Sequence, residues 1–409
     1  MNNITDKATE NCTGCQLCSA ICPNNAIKIE LDEDGFYTPV VDNNKCTSCG
    51  LCKKTCYKYD DKMKMTENEQ NINIYAAQSI DKGILKSSTS GGVASHIAVE
   101  CLKQGYKVIG VAYDIDKDIA VDYIATNEKE IESFKGSKYM QSYTEKAFKE
   151  LLNDKTEQKY AVFGTPCQIY AIKKYAERTN QSERFLLVDI FCHGCPSLKL
   201  WAKYVHYIKL KMNVDRFDEV EFRSKIHGWH EYCHYFSSNN IKRKSKKIND
   251  PFFTFFFDNN VLCKACYDCK TRSTLEYSDI RLGDFWGTEY VLNTEGISAV
   301  VLCSNKGKEL FDEIKDKFIL KEHTFEEVKK FQSYGLKYSF NEELREKSLD
   351  ILKKNDNMDL IFKNYKKWYS PRQKIKLCLK QIVYLLPKSM IANIKESVHK
   401  IKNKCIIIN

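Results

Sequence analysis

Residues 12–23 read CTGCQLCSAICP, and residues 46–57 read CTSCGLCKKTCY. Each stretch holds three cysteines spaced three apart, then a fourth four residues on, and the first closes with Pro23. Three thiolates on one short loop reach three corners of a four-iron cube, and the last corner falls to a cysteine of the other half. The spacing therefore implies a crossed set. Cys12, Cys15, Cys18 and Cys56 surround one [4Fe-4S] cluster; Cys46, Cys49, Cys52 and Cys22 surround the other. Structural zinc prefers two separated cysteine pairs to a triplet plus one. Tyr57 stands where the first run has proline, which alters the turn after the ligand and leaves the ligand count intact.

Working outward, residues 1–60 read as a two-cluster, bacterial ferredoxin-type domain. Residues 61–72 are polar and aperiodic, as a linker would be. From Asn73 apolar strand runs alternate with helical periodicity, so the expected class is α+β to α/β. Two mixed α/β blocks are expected, 73–158 and 159–335. The pattern predicts strands at Ile74–Ala77, Tyr106–Tyr113, Val121–Ala125, Tyr160–Phe163, Phe185–Phe191, Val220–Arg223, Tyr232–Ser237, Ile280–Leu282 and Ser298–Leu302. It predicts helices over Gly91–Lys103, Cys167–Ala176, Leu198–Lys211 and Lys306–Lys317. Residues 336–409 read as a helical, basic tail.

The chain has 409 residues, 19 cysteines and a formal net charge of +10. Residues 361–409 hold 12 Lys and Arg against the single acidic Glu396, so the excess sits in the tail. Met1–Glu10 is polar with no signal-peptide core, and no run of eighteen apolar residues occurs. Many thiols without an export signal point to metal–sulfur sites in a reducing cytoplasm. In the tail, Ile375, Leu379, Ile382 and Leu386 recur at helical spacing among Lys374, Lys376, Lys380 and Lys388. Such a helix either rests on anionic lipid at the inner face of the membrane or packs on the body. The run Lys242–Arg243–Lys244, Lys246–Lys247 reads as a solvated loop, with no nucleic-acid partner. His227, His230 and His234 have a metal-ligand look, but on a strand 227 and 230 face opposite ways. Phe252–Phe257 reads as an aromatic knot over a core.

A third triplet, Cys263, Cys266 and Cys269, lies far from the first two. Its fourth ligand must come from elsewhere in the fold, and Cys192, Cys195 and Cys167 each follow a predicted strand. A third iron–sulfur cluster is the leading expectation; a zinc knuckle also fits a triplet plus one.

With these come SSTSGG (87–92), GSKYMQS (136–142), GTPCQ (164–168), CHG (192–194) and GDFWG (283–287). In that order, behind a ferredoxin domain, they resemble the coenzyme F420 hydrogenase/dehydrogenase beta subunit family over about residues 1–335. The resemblance implies FAD alongside the clusters and electron exchange with coenzyme F420 or another small acceptor. The expected partner is a ferredoxin or a hydrogenase or dehydrogenase subunit. The CHG motif and basic tail are similar to bacterial relatives found among polysaccharide-synthesis enzymes. The resemblance favours Cys192 as fourth ligand; Cys195 departs from its usual pattern. A flavin bridges one-electron clusters and two-electron substrates. Ser88, Ser90, Gly91 and Gly92 before a helix suit a pyrophosphate, although Ser90 also suits an ordinary helix cap. Ser137 and Lys138 are candidates for the same ligand, as are Thr165 and Gln168. Cys167, on a strand-to-helix turn, is the candidate catalytic residue, facing a flavin or ligating metal. The reading is an iron–sulfur flavoprotein oxidoreductase. The competing reading is an electron-relay subunit that docks a partner enzyme and has no substrate of its own.

Overall fold

The computed structural model describes residues 1–5, 11–67, 72–245, 250–386 and 390. The ferredoxin part carries one hairpin, β1 (Ile27–Leu31) against β2 (Tyr37–Val41). Beyond it come β3 (Asn73–Ser79), β4 (Lys107–Asp114), β5 (Ile119–Ala125), β6 (Ser142–Tyr143), β7 (Tyr160–Phe163) and β8 (Phe185–Ile190). Then follow β9 (Glu219–Ser224), β10 (Cys233–Ser238), β11 (Ile241–Lys244), β12 (Ile280–Asp284), β13 (Ser298–Leu302) and β14 (Phe318–Glu322).

Nine of these strands form one mixed sheet in the order β14-β3-β13-β12-β8-β7-β4-β5-β6. Strands from both expected blocks, 73–158 and 159–335, interleave in it, so the blocks share a single sheet rather than standing apart. Its centre, β12-β8-β7-β4, is parallel. That explains the unbroken apolar runs of β7 and β8: parallel strands are covered on both faces and need no polar side. The one acidic residue there, Asp189, is held by Arg281 on the next strand, Nε to Oδ1 at 2.7 Å and Nη2 to Oδ2 at 2.5 Å. β9, β10 and β11 make a separate antiparallel sheet. Trp201 of helix Leu198–Met212 and the helix Pro251–Phe257 close the largest core, burying Phe252, Phe253, Phe255 and Phe256.

Several expectations change. The supposed linker is fastened: Leu275 N donates to Thr66 Oγ1 at 2.8 Å and Lys64 N to the Tyr277 hydroxyl at 2.8 Å; residues 68–71 lie outside the described ones. Lys242, Arg243 and Lys244 sit on strand β11, not in a loop, and 246–249 are likewise undescribed. His227 and His230 precede β10 instead of lying on it, and His230 Nε2 contacts the Tyr290 carbonyl at 3.0 Å. The tail begins as helices Glu342–Lys354 and Met358–Lys367, whose Leu352 and Ile361 are buried in the main core. Helix Pro371–Leu385 instead leaves Ile375, Leu379 and Ile382 exposed at 61, 56 and 57 %. Lys388 and residues 391–409 lie outside the described residues.

Candidate electron-transfer site

The parallel strands aim their carboxyl ends, where open α/β sheets usually bind ligands, at one region. β7 runs into Gly164–Cys167, β8 into Cys192 and His193, and β12 into Asp284 and Trp286. The ferredoxin loop is pinned against the same side. Gln16 Oε1 accepts from Thr144 N and Glu145 N at 2.9 and 3.1 Å, and its Nε2 donates to the Ser142 carbonyl at 2.9 Å. Gln16 thereby caps helix Glu145–Asn153, which has no side-chain cap of its own. Gln141 reciprocates: Tyr37 N donates to its Oε1 and its Nε2 to the Thr13 carbonyl, both at 3.0 Å. Gly14, at φ +70°, is needed there, because a Cβ would stand 2.5 Å from Gln141 Nε2.

Cys12, Cys15, Cys18 and Cys56 line one cavity. Burial first, then the neighbouring Cys15, pushes the Cys12 and Cys56 thiols up to about 12. Buried sulfurs that repel one another ionise only against added positive charge, which an iron cube supplies, so the donor set fits a cluster. Cys52 and Cys22 pack with Ile4 and Ile27. Cys49 is exposed, and Asn3 Nδ2 donates to Cys46 Sγ at 3.5 Å. That second set lies nearest solvent.

The third triplet abuts the first loop. Cys263 Sγ donates to the Cys12 carbonyl at 2.9 Å. Cys192 and Cys195 both lie beside Cys266 and Cys269. Cys167 lies near Cys15 and Cys269 and borders the Cys12–Cys56 cavity. Among the described residues no three His, Cys, Asp or Glu side chains converge on a single ion; the thiolates of a cubane stand farther apart than those of one metal. Tyr57, in the place of the usual proline, is buried with its hydroxyl unpartnered among the described residues, facing Cys269 and Cys167.

Several candidate cofactor residues are already engaged. Lys138 Nζ donates to four carbonyls, those of Val111, Ser133, Phe134 and Lys135, at 2.8–3.1 Å. It serves the backbone rather than a phosphate, and burial lowers it to about 7, with Asp122 opposing. Thr165 and Gln168 form the capping box of helix Pro166–Arg178. Ser88 Oγ donates to the Ile84 carbonyl at 2.7 Å and Ser90 Oγ to that of Ile297 at 2.8 Å. Ser90 is not the helix cap; Gly92, at φ +88°, is, without a side-chain bond. Gly91 exists for packing, since a Cβ would meet the Ala77 carbonyl at 2.0 Å. What remains for a phosphate is the start of helix Val93–Lys103, without a side-chain cap; Ser137 is partly buried.

Sequence reasoning missed Gln16, Gln141 and Arg223. Arg223, on β9, is 3 % exposed and bonds Asp284 of the GDFWG motif, whose Oδ1 accepts from Trp229 Nε1 at 2.7 Å. Trp229 and Trp286 stack at 4.7 Å and 9°. Tyr139 of GSKYMQS lies beside the same guanidinium. The sequence signal was position alone: Gln16 falls inside the first cysteine run, Tyr139 and Gln141 inside GSKYMQS, and Asp284 inside GDFWG.

Three comparisons bear on this arrangement. Residues 11–58 match the 4Fe-4S dicluster domain. Residues 74–149 and 157–328 match the N-terminal and C-terminal models of the coenzyme F420 hydrogenase/dehydrogenase beta subunit. The beta subunit of the coenzyme F420 hydrogenase of Methanococcus voltae is 25 % identical over 260 residues, 62 % of this chain and 85 % of the relative. An uncharacterized protein of Methanocaldococcus jannaschii is 25 % identical over 335 residues, 74 % of this chain and 86 % of the relative. A chain of the F420-reducing [NiFe] hydrogenase complex of Methanosarcina barkeri is 19 % identical with TM-score 0.46, covering 75 % of this chain and 95 % of that one.

Proposed function

We propose, from the premise that the chain belongs to the coenzyme F420 hydrogenase/dehydrogenase beta subunit family, that it is an iron–sulfur flavoprotein passing electrons between a redox partner and a small acceptor. The observation that carries this reading is the contact of Cys263 Sγ with the Cys12 carbonyl at 2.9 Å. It puts the third triplet against the first ferredoxin loop, so the cysteine sites form one series.

In this reading Cys12, Cys15, Cys18 and Cys56 hold one [4Fe-4S] cluster, and Cys46, Cys49, Cys52 and Cys22 the other. Cys263, Cys266 and Cys269 hold a third with Cys192. The clusters supply one-electron transfer, and FAD, when bound, supplies exchange of a hydride with the acceptor. The exposed Cys49 loop is the face offered to a ferredoxin or to a hydrogenase or dehydrogenase subunit. Gln16 and Gln141 hold the ferredoxin loop in register with the sheet. Cys167, which borders the Cys12–Cys56 cavity, remains the candidate residue to face the flavin beside the clusters. The acceptor is coenzyme F420 or another small molecule, such as one of polysaccharide synthesis. The exposed stripe Ile375, Leu379, Ile382 beside Arg372 and Lys374 suits contact with an anionic membrane surface.

Iron, labile sulfide, zinc and flavin per chain on anaerobically purified protein test the proposal. About twelve iron with matching sulfide and one FAD are expected. About eight iron with one zinc and no flavin would refute the third cluster and the flavin, and leave an electron relay.

A further inference from the structure

Arg223 is buried, yet two of its donors are idle. Nη1 bonds Asp284 and the Tyr139 hydroxyl lies within reach of the guanidinium, while neither Nε nor Nη2 makes a well-directed hydrogen bond among the described residues. Buried donors left unpaired carry the full cost of lost hydration, so an orphaned pair calls for a missing acceptor. Nε and Nη2 share one edge of the guanidinium. The same edge of Arg281 grips both oxygens of Asp189 at 2.7 and 2.5 Å. The idle edge of Arg223 is therefore a fork built for two adjacent acceptor atoms.

Which acceptors follows from the surroundings. Asp284 already balances the charge of Arg223, so a phosphate or carboxylate would meet a neutral pair. The guanidinium stands 4.4 Å from the Tyr232 ring and 5.0 Å from that of Trp286. A planar heterocycle suits such aromatic company better than a compact anion. A chain of ring contacts also leads from the cluster back to His193, next to Cys192. The rings of His193 and Phe256 are 4.8 Å apart, those of Phe256 and Tyr139 5.2 Å, and Tyr139 adjoins Arg223. Two residues past Arg223, Lys225 Nζ donates to the Ser90 carbonyl at 3.1 Å and to that of Leu85 at 2.6 Å. That bond ties the turn before helix Val93–Lys103 to the same strand end.

We propose that the Nε/Nη2 edge of Arg223 receives the N1 and C2-carbonyl edge of the flavin ring, an inference that rests on the flavin reading above. The ring edge offers two neighbouring acceptors and gains negative charge when the ring takes up electrons, so two hydrogen-bond donors held against it favour the reduced form even with the net charge of Arg223 balanced by Asp284. Asp284, fixed by Trp229 Nε1 and, through its carbonyl, by Gln332 Nε2 at 2.6 Å, holds the fork in place. Arg223 is thus a binding and potential-setting residue for the cofactor.

The test uses full-length wild type, Arg223→Gln and Arg223→Lys, purified anaerobically, stripped of flavin and titrated with FAD. Affinity and flavin midpoint potential are read together with iron content. Arg223→Gln is expected to bind FAD at least about tenfold more weakly, with iron content unchanged and a more negative midpoint. Arg223→Lys keeps the charge without the fork and should fall between. If Arg223→Gln does not fold, the lowered affinity and midpoint of Arg223→Lys carry the same test. Wild-type affinity and potential in the variants would overturn the assignment while the flavin reading stands. A wild-type protein that binds no FAD would overturn both.

Discussion

Replacing Gln16 by alanine tests how the ferredoxin domain is held. Its side chain makes three hydrogen bonds to the body, at 2.9, 3.1 and 2.9 Å, and two of them cap helix Glu145–Asn153. Gln16 is 1 % exposed, so water cannot easily replace what is lost. At about 1 kcal/mol per bond the loss comes to ~3 kcal/mol, and the two stranded backbone donors hold it near that value. Glutamate keeps both caps as an acceptor but buries a carboxylate with one oxygen turned to the Ser142 carbonyl, so Gln16→Glu should cost more than the single lost bond at neutral pH. The assay is anaerobic urea denaturation followed by cluster absorbance, with the first transition compared between variants, because a multidomain cofactor protein need not unfold in one step. A Gln16→Ala protein whose first transition moves by less than ~0.5 kcal/mol would refute the docking described here.

Further outcomes follow from the same geometry. Cys192→Ser should lower iron by about four atoms per chain, whereas Cys167→Ser should keep the full complement, checked by iron and sulfide analysis. Tyr57→Phe removes a hydroxyl aimed at the third triplet. If that hydroxyl bonds a cluster sulfur worth about 1 kcal/mol, the midpoint falls by about 40 mV with iron unchanged, read by potentiometric titration. His96, buried against Phe318 and bonded to Ser79 at 2.8 Å, is held below its ordinary value by desolvation, with Asp81 opposing. Its folded form binds fewer protons than its unfolded form, so it contributes stability above about pH 6.5 that is lost as pH falls. Thermal melts of His96→Gln should show a flatter decline between about pH 6.5 and 5 than wild type.

What could be read from sequence was local. The cysteine triplets carry their chemistry within a dozen residues, and the buried parallel strands β7 and β8 announce themselves as continuous apolar runs. β6, β11 and β14 escaped because they are short or lie at sheet edges, where polar alternation hides the strand. The unity of the sheet was invisible: β3 pairs with β13 and β14, more than two hundred residues away. The engaged candidates share one cause. Thr165 and Gln168 look like ligand donors in one dimension, but a capping box uses the same residue types. Gln16 and Gln141, though inside quoted motifs, and Arg223, on a predicted strand, had no role assigned because a polar residue acquires one only from partners that the fold brings to it.

The central claim is that the ferredoxin loop and the third triplet form one electron path, joined where Cys263 meets Cys12. Electron paramagnetic resonance of the dithionite-reduced, anaerobically purified chain tests it most directly. The account predicts spin for about three reduced [4Fe-4S] clusters per chain, with lines broadened by interaction between neighbouring clusters. Spin for about two clusters, interacting only with each other, would contradict it.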